Sequence, residues 1–349
     1  MASVGGEGSN NRSRRLVRAP RTRPVIVCAL RAPGAPAAPV AFGSVALSGR
    51  MRQMEDFVAL RPGLCVWADG SPVHFFAVFD GHGGPHVAEM CKVELPAALE
   101  EELGLAAALL QEQPTLEDEA DAWRAALRRA FQRVDALGAS CCQCGNVGPP
   151  LCHCDLRGRV IGSTAAVALL VRDQIVVANS GDSRAVISRH GGRDVQALST
   201  DHKPDRPDEM QRITEAGGWV IFHNGATRVR GILAMSRAIG HRILKPEVIC
   251  DPEIEITTRT EGDDCLILAS DGVWDVVSNQ MACEVVRQCL DDGTPPDLHL
   301  PAAPAPAEGQ HQQSSRRCNV AAAALGRFAL GRESSDNISA IVIDLKMRE

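Results

Sequence analysis

Four aspartates, each at the end of an apolar, strand-like run, have the spacing to do chemistry together. Asp80 closes Phe-Phe-Ala-Val-Phe in the run Phe-Phe-Ala-Val-Phe-Asp-Gly-His-Gly-Gly (75–84), and Asp182 lies in Val-Val-Ala-Asn-Ser-Gly-Asp-Ser-Arg (176–184). Asp271 follows Leu-Ile-Leu-Ala-Ser (266–270), and Asp336 lies in Ser-Ser-Asp-Asn-Ile-Ser (334–339). A strand fixes the backbone, and the turn beyond it presents a short carboxylate at the rim of the sheet. Carboxylates gathered at such a rim repel one another and lose water, a cost that cations offset. An all-oxygen donor set suits magnesium or manganese. The alternative for each aspartate is a turn, because Asp-Gly after an apolar run is also a common hairpin signal. Two features exceed what a turn needs. The Asp80 turn carries His82 and two further glycines, and Asp275 follows Asp271 across Trp274. The chain reads first as a metal-dependent enzyme.

The elements that must position these residues are legible as apolar runs and helical periodicity. Strands are expected at 42–47, 57–60, 73–79, 163–171, 174–180, 184–188, 265–270 and 338–345. Helices are expected at 85–103, 119–137, 206–216, 279–290 and 319–330, with Pro85 and Pro207 where a first-turn proline is tolerated. Very short polar turns join the three strands between 163 and 188, which predicts an antiparallel meander. Strands that cluster in this way, rather than alternating with helices, predict an α+β fold.

At 349 residues, 45% hydrophobic and 23% charged with net charge −6, the chain has the composition of a soluble globular protein. A mildly acidic balance argues against nucleic acid as the main partner. No apolar run approaches the roughly 20 residues of a membrane span. The thirteen cysteines form an odd set without a recognisable secretory signal. Those inside strand-like runs, such as Cys265, read as small buried hydrophobes, which points to a reducing intracellular compartment.

Residues 1–41 are rich in Arg, Pro, Ala, Gly and Ser and read as a disordered basic segment preceding a catalytic domain over 42–349. A transit peptide and a nuclear-import patch (Arg-Ser-Arg-Arg, 12–15) remain open for it. Two insertions interrupt the domain. Residues 138–159 hold Cys141, Cys142, Cys144, Cys152, His153 and Cys154, either a flexible loop or a zinc site. Residues 292–317, rich in Pro, Ala and Gln, read as an exposed loop.

In order along the chain stand Met-Glu-Asp (54–56), Asp-Gly-His-Gly-Gly (80–84), Gly-Ser-Thr-Ala (162–165) and Asn-Ser-Gly-Asp-Ser-Arg (179–184). There follow Asp-His-Lys-Pro (201–204), Leu-Ala-Met-Ser-Arg-Ala-Ile-Gly (233–240), Ala-Ser-Asp-Gly-Val-Trp-Asp (269–275) and Ser-Asp-Asn-Ile-Ser (335–339). In this order they resemble the type 2C metal-dependent protein Ser/Thr phosphatases over roughly residues 43–346. The resemblance implies a β-sandwich of two antiparallel sheets flanked by helices, a four-layer α-β-β-α arrangement. It implies hydrolysis of phosphoserine and phosphothreonine in proteins by a water activated between two divalent cations, Mn²⁺ or Mg²⁺. By resemblance Asp80 bridges the two ions, Gly81 lends a carbonyl, Asp271 and Asp336 complete the second ion, and Glu55 and Asp56 hold ordered waters. Asp182 and Asp275 match positions of a weaker third metal. His82 is the candidate general acid, a role for which an ordinary histidine pKa is suited.

The chain departs from that pattern at two places. Met51 stands where family members carry an Arg that grips the substrate phosphate, leaving the flanking Arg50 and Arg52 as candidate replacements. His241 stands where Asp normally follows Ser-Arg-Ala-Ile-Gly. Both substitutions keep a second reading open, a weakened or inactive phosphatase-fold protein that binds and masks kinases. A third reading is a two-metal hydrolase of small phosphate esters. The stretch from Asp201 to Pro252 resembles the plant clade A subgroup of abscisic-acid signalling, which implies protein kinases as substrates. His223 takes the place of the Trp that receptor-docking members insert, which argues against such docking. The resulting expectation is an intracellular monomer of the nucleus or cytoplasm acting on phosphoproteins.

Overall fold

A computed structural model of the protein describes residues 40–110, 113–140, 160–292 and 310–346. The basic segment up to residue 39 and the Cys-rich stretch 141–159 lie outside the described residues. In chain order the first half comprises β1 (Ala41–Leu47), β2 (Phe57–Val66), β3 (Pro72–Phe79), β4 (Gly81–His82), α1 (His86–Leu109), α2 (Leu116–Ser140), β5 (Gly162–Ser163), β6 (Ala165–Val171), β7 (Gln174–Ser180) and β8 (Arg184–Arg189). The second half comprises β9 (Asp194–Ala197), α3 (Pro207–Glu215), β10 (Val220–His223), β11 (Ala226–Val229), β12 (Ile239–Gly240), β13 (Glu253–Thr258), β14 (Asp263–Ala269), α4 (Asp271–Trp274), α5 (Asn279–Asp292), α6 (Gln310–Gly331) and β15 (Ile338–Asp344).

Two five-stranded antiparallel sheets form the centre, in the orders β1-β15-β14-β8-β9 and β13-β7-β6-β3-β2. The two-residue side-chain period divides each strand between two cores. In β3, Phe75, Ala77 and Phe79 pack against α1 and α2 through Leu95, Leu99, Trp123 and Phe131. Phe76 and Val78 face the opposite sheet and meet Ile187, Leu268 and Ile341. On the far side, Ile267 and Val342 pack against α5 and α6 through Val286 and Leu325. The layers are therefore α-β-β-α, as expected. Because both faces are buried, the strands read as continuous apolar runs rather than alternating ones.

Two expectations are corrected. The segment 163–188 is not one meander. β6 pairs with β7, but β8 joins the other sheet beside β14. The crossing occurs at Gly181, whose φ of +119° is open to glycine, and whose added Cβ would lie 2.6 Å from the Thr164 side chain. This crossing carries Asp182 to the rim between the sheets. The second correction concerns 292–317, read as a loop. α5 runs to Asp292 and α6 begins at Gln310, so 310–317 is helical, and 293–309 lies outside the described residues. Cys318, next along α6, is fully buried in the core that this helix shares with β14 and β15. The edge strand β13 (Glu-Ile-Glu-Ile-Thr-Thr) also went unread, because its two isoleucines alone contact the core.

None of the described helices is long and apolar enough to cross a membrane. Cys265 is fully buried in the core, and the described cysteines form no disulfide among themselves.

Candidate active site

The carboxylates of Asp80, Asp182 and Asp271 each place an oxygen within 4.8 Å of the others. Three different elements deliver them. Asp80 follows β3, where its N–H donates to Thr164 Oγ1 (3.1 Å) and its carbonyl accepts from Thr164 N (2.9 Å). Asp182 sits at the crossing between sheets, and Asp271 opens the single turn of α4 after β14. Burial, followed by the charges of Asp271, Asp56 and Asp182, raises the Asp80 carboxyl well above its ordinary value. Burial, followed by the charges of Asp182, Asp275 and Asp336, does the same to Asp271.

Glu55 and Asp56 lie against this group. Asp56 Oδ2 accepts from Ser270 Oγ (2.8 Å), yet burial outweighs the serine hydrogen bonds and pushes its pKa up to about 6. Glu55 Oε2 accepts from Gly84 N (3.0 Å), and Glu55 N donates to Asn337 Oδ1 (2.6 Å). A Cβ on Gly81 would meet the Glu55 carbonyl at 2.4 Å, so only glycine allows this approach. Asp275 is raised by burial and by the charges of Asp182 and Asp201, with Lys203 opposing. Asp336 is exposed and accepts from Asn337 N (2.7 Å), outside the tight triad but close enough to act on Asp56, Asp271 and Asp275. The tightest oxygen group is thus Asp80, Asp182 and Asp271, with Asp336 near enough for its charge to act on Asp271.

His82 has an unexpected neighbour. Its ring stacks on His241 with centroids 4.6 Å apart and planes inclined by 13°, and the two Nε2 atoms face each other in hydrogen-bond contact. Burial lowers the His82 pKa to about 4, against the opposing influence of Asp182 and the Asp80 backbone. The ordinary pKa expected for a general acid therefore does not hold in the resting site, where the ring is neutral. His241 is also lowered well below its ordinary value, by burial first and then by His82 and Lys245. Its backbone is left-handed (φ +44°), and a Cβ on Gly162 would lie 2.2 Å from its ring, so the two residues fit as a pair.

Arg50, Met51 and Arg52 lie together on the exposed loop before Glu55, and Met51 is 46% exposed. Among the described residues, neither Arg50 nor Arg52 forms a salt bridge.

Several organising residues escaped the sequence reading. Asn337 ties the 48–53 loop to the site through Ser48 O (2.9 Å) and Gln53 O (3.0 Å). Thr164 holds Asp80 and also contacts Ser183 Oγ (2.7 Å). Lys203 pairs with Asp182 Oδ2 at 2.5 Å. All lie inside short motifs recognised in the sequence, which was the available signal. Their partners are distant in the chain, which is why their roles were not legible.

The residues fit divalent cations. The cluster offers oxygen only, burial and then mutual repulsion raise the pKa of its two central carboxylates, and the buried Asp182 Oδ1 has no hydrogen-bond partner among the described residues.

Comparisons with known proteins agree with this geometry. A family profile described as Protein phosphatase 2C matches residues 40–338. The chain is 49% identical to "Probable protein phosphatase 2C 37" of Oryza sativa subsp. japonica, covering 89% of this chain and 77% of that protein. It is 48% identical to "Probable protein phosphatase 2C 75" of Arabidopsis thaliana, covering 87% and 73% respectively. Among solved structures, the serine-threonine phosphatase 2C from Toxoplasma gondii superposes with a TM-score of 0.69 at 24% identity, covering 89% of this chain and 96% of that one.

Proposed function

The chain belongs to the protein phosphatase 2C family and is a metal-dependent protein Ser/Thr phosphatase acting on phosphoproteins; on that premise we propose how its own residues divide the work. Asp80, Asp182 and Asp271 hold the cations, with Asp56, Glu55, Asp275, Asp336 and the Gly81 carbonyl around them. Bound Mg²⁺ or Mn²⁺, two ions with a weaker third, supply the Lewis acidity that activates water and neutralises phosphate charge. The observation that carries this reading is the convergence of three carboxylates within 4.8 Å, two of them forced towards the protonated state until a cation arrives.

His82 is held beside this group by the turn that Gly83 and Gly84 permit, with φ of +77° and +135°. In the resting site it is a neutral imidazole. A phosphate dianion beside the ring favours its charged form and moves it back towards protonation, so substrate binding itself prepares His82 to protonate the departing seryl or threonyl oxygen. Thr164 fixes Asp80, and Asn337 fixes the loop that bears Glu55. Arg50 and Arg52 remain the candidate phosphate contacts.

The substrates proposed are protein kinases of a stress-hormone pathway, on the strength of the Asp201–Pro252 motifs and the plant relatives. The proposed setting is a monomer in the nucleus or cytoplasm. The test is hydrolysis of a phosphothreonine peptide with Mn²⁺, which should vanish on chelation and in Asp80→Asn. Equal turnover in excess chelator would refute the metal-dependent reading.

One observation favours a second reading. Exposed Met51 offers no charge for a phosphate, so a weak phosphatase that masks kinases by binding them is the competitor. Kinase binding that survives Asp271→Asn, with no turnover by the parent, would support it.

A further inference from the structure

The motif Asp-His-Lys-Pro (201–204) is held in place more firmly than a connecting loop requires. From one side, Arg184 grips Asp201 with two hydrogen bonds, Nε–Oδ1 at 2.9 Å and Nη2–Oδ2 at 2.7 Å. From the other, the fully buried His202 donates its backbone N–H to Gly181 O (3.0 Å), and its ring lies 3.2 Å from Gly181 N. Clamped at both neighbours of the Gly181–Asp182 turn, the chain has little freedom in where it puts the next side chain. Lys203 reaches over the turn and sets Nζ 2.5 Å from Asp182 Oδ2.

That carboxylate is 2% exposed and shares the oxygen cluster with Asp80 and Asp271, while its other oxygen, Oδ1, has no partner. An ammonium group therefore lies where a divalent ion would draw on the same carboxylate. Two cations this close repel each other strongly, so the ammonium and an ion at Asp182 compete. The lysine has somewhere to go. Its side chain is 40% exposed and lines a cleft of about 550 Å³ that also contains Asp201, Asp205, Arg184 and Arg206.

We propose that Lys203 is a built-in counter-ion of the Asp182 side of the site, which neutralises it in the metal-free protein and is displaced into the adjoining cleft when a divalent cation binds there. This deepens the reading of Asp182 as a cation ligand and rests on it. A lysine ammonium is charged at neutral pH, as a counter-ion must be. Two consequences follow. The cation at Asp182 must bind more weakly than its ligand set alone implies, because it first breaks an ion pair. Its arrival also moves a positive charge into the cleft beside the site, where an acidic side chain of a phosphoprotein could meet it.

The experiment uses the full chain, stripped by chelator and titrated with MnCl₂ while free Mn²⁺ is followed by electron paramagnetic resonance, for the parent, Lys203→Met, Lys203→Arg and Asp182→Asn. Lys203→Met should tighten the weakest Mn²⁺ step about tenfold, equivalent to ~1.4 kcal/mol, and Lys203→Arg should stay near the parent. Asp182→Asn should lose that step. A Lys203→Met affinity equal to or weaker than the parent's, with Asp182→Asn still losing the step, overturns the counter-ion role alone. An unaltered Asp182→Asn titration instead overturns the ligand reading beneath it. Should Lys203→Met fail to fold, the parent still decides the matter through amine acylation followed by mass spectrometry. Lys203 should be protected without metal and several-fold more reactive with saturating Mn²⁺, and unchanged or reduced reactivity refutes displacement.

Discussion

Two buried groups of charge in this protein are built on opposite rules. At the Glu209 network, one carboxylate that is 1% exposed accepts from Arg212 Nη2 (2.7 Å) and Arg237 Nη2 (2.7 Å), while Arg206 pairs with the neighbouring Glu253. Burial would raise Glu209, but the hydrogen bonds from Arg237, Arg212 and Ser236 win and hold it well below its ordinary value. At the candidate active site, Asp56, Asp80 and Asp271 are all raised, and among the described residues Lys203 alone forms an ion pair with the group, through Asp182. The first network is complete within the protein and stabilises how α3 meets the Arg237 and Glu253 segments. The second is incomplete, and its deficit of positive charge is what a divalent cation supplies. Direction of pKa shift therefore separates structural buried charge from binding charge in a single chain.

The contrast can be broken most sharply at its anionic end. Asp80→Asn should lower Mn²⁺-dependent kcat/KM by at least about a thousandfold, ~4 kcal/mol of transition-state stabilisation, with the metal-free protein no less stable in thermal denaturation. Loss of both activity and metal-free stability would mean that Asp80 is structural. The opposite pattern is expected at the paired network. Glu209→Gln should cost about 3 kcal/mol in denaturant unfolding, because it leaves Arg212 and Arg237 without their buried partner, and any activity lost should return with the folded fraction.

How much of this contrast was legible beforehand depends on where the partners lie in the chain. Asp80 and Asp271 announced themselves because each ends a continuous apolar run; those runs pointed only to an α+β fold, and the α-β-β-α layering came with the family resemblance. The path of Asp182 did not. A short polar turn between two strands specifies their proximity but not whether both stay in one sheet, and Gly181 takes the second strand across. The Lys203 and Asn337 contacts needed the fold, since Asn337 meets Glu55 across 282 residues. The stacking of His82 on His241 was equally hidden. Seen from the sequence, His241 stood in place of the family's aspartate; in the fold it stacks on His82, the proposed general acid.

The two regions also predict opposite pH slopes. Raised groups retain protons in the folded state that the unfolded chain releases near its ordinary carboxylate pKa of about 4. Their contribution is complete below that value and is lost as pH rises through about 6 for Asp56 and through the likewise raised values of Asp80 and Asp271. The lowered groups run the other way. Glu253, held near pKa 2 by His202 and Arg206, contributes above its unfolded value and is lost as pH falls towards 2, and Glu209 behaves alike. In chelator, the raised carboxylates should therefore make stability fall with rising pH, while the lowered His82 and His241 pull the other way below about 6.5. Saturating Mn²⁺ should flatten the neutral side, and Asp271→Asn should reduce its slope without metal. A metal-free slope left unchanged by Asp271→Asn would contradict the charge deficit assigned to the site.

The smallest effect is expected where positive charge is missing for the substrate rather than for the metal. Met51 is 46% exposed on a loop tethered by Asn337, so an arginine there meets no packed neighbour and little strain. A guanidinium on this loop can meet a phosphate in a two-pronged hydrogen bond, whereas the thioether offers none. Met51→Arg should lower KM for a phosphothreonine peptide by about fivefold, roughly 1 kcal/mol, with kcat nearly unchanged, because the contact forms in ground and transition states alike. A larger gain in kcat than in KM would mean that position 51 acts on the chemical step. No change at all would show that Arg50 or Arg52 already fills the place, so their removal should then raise KM in the parent.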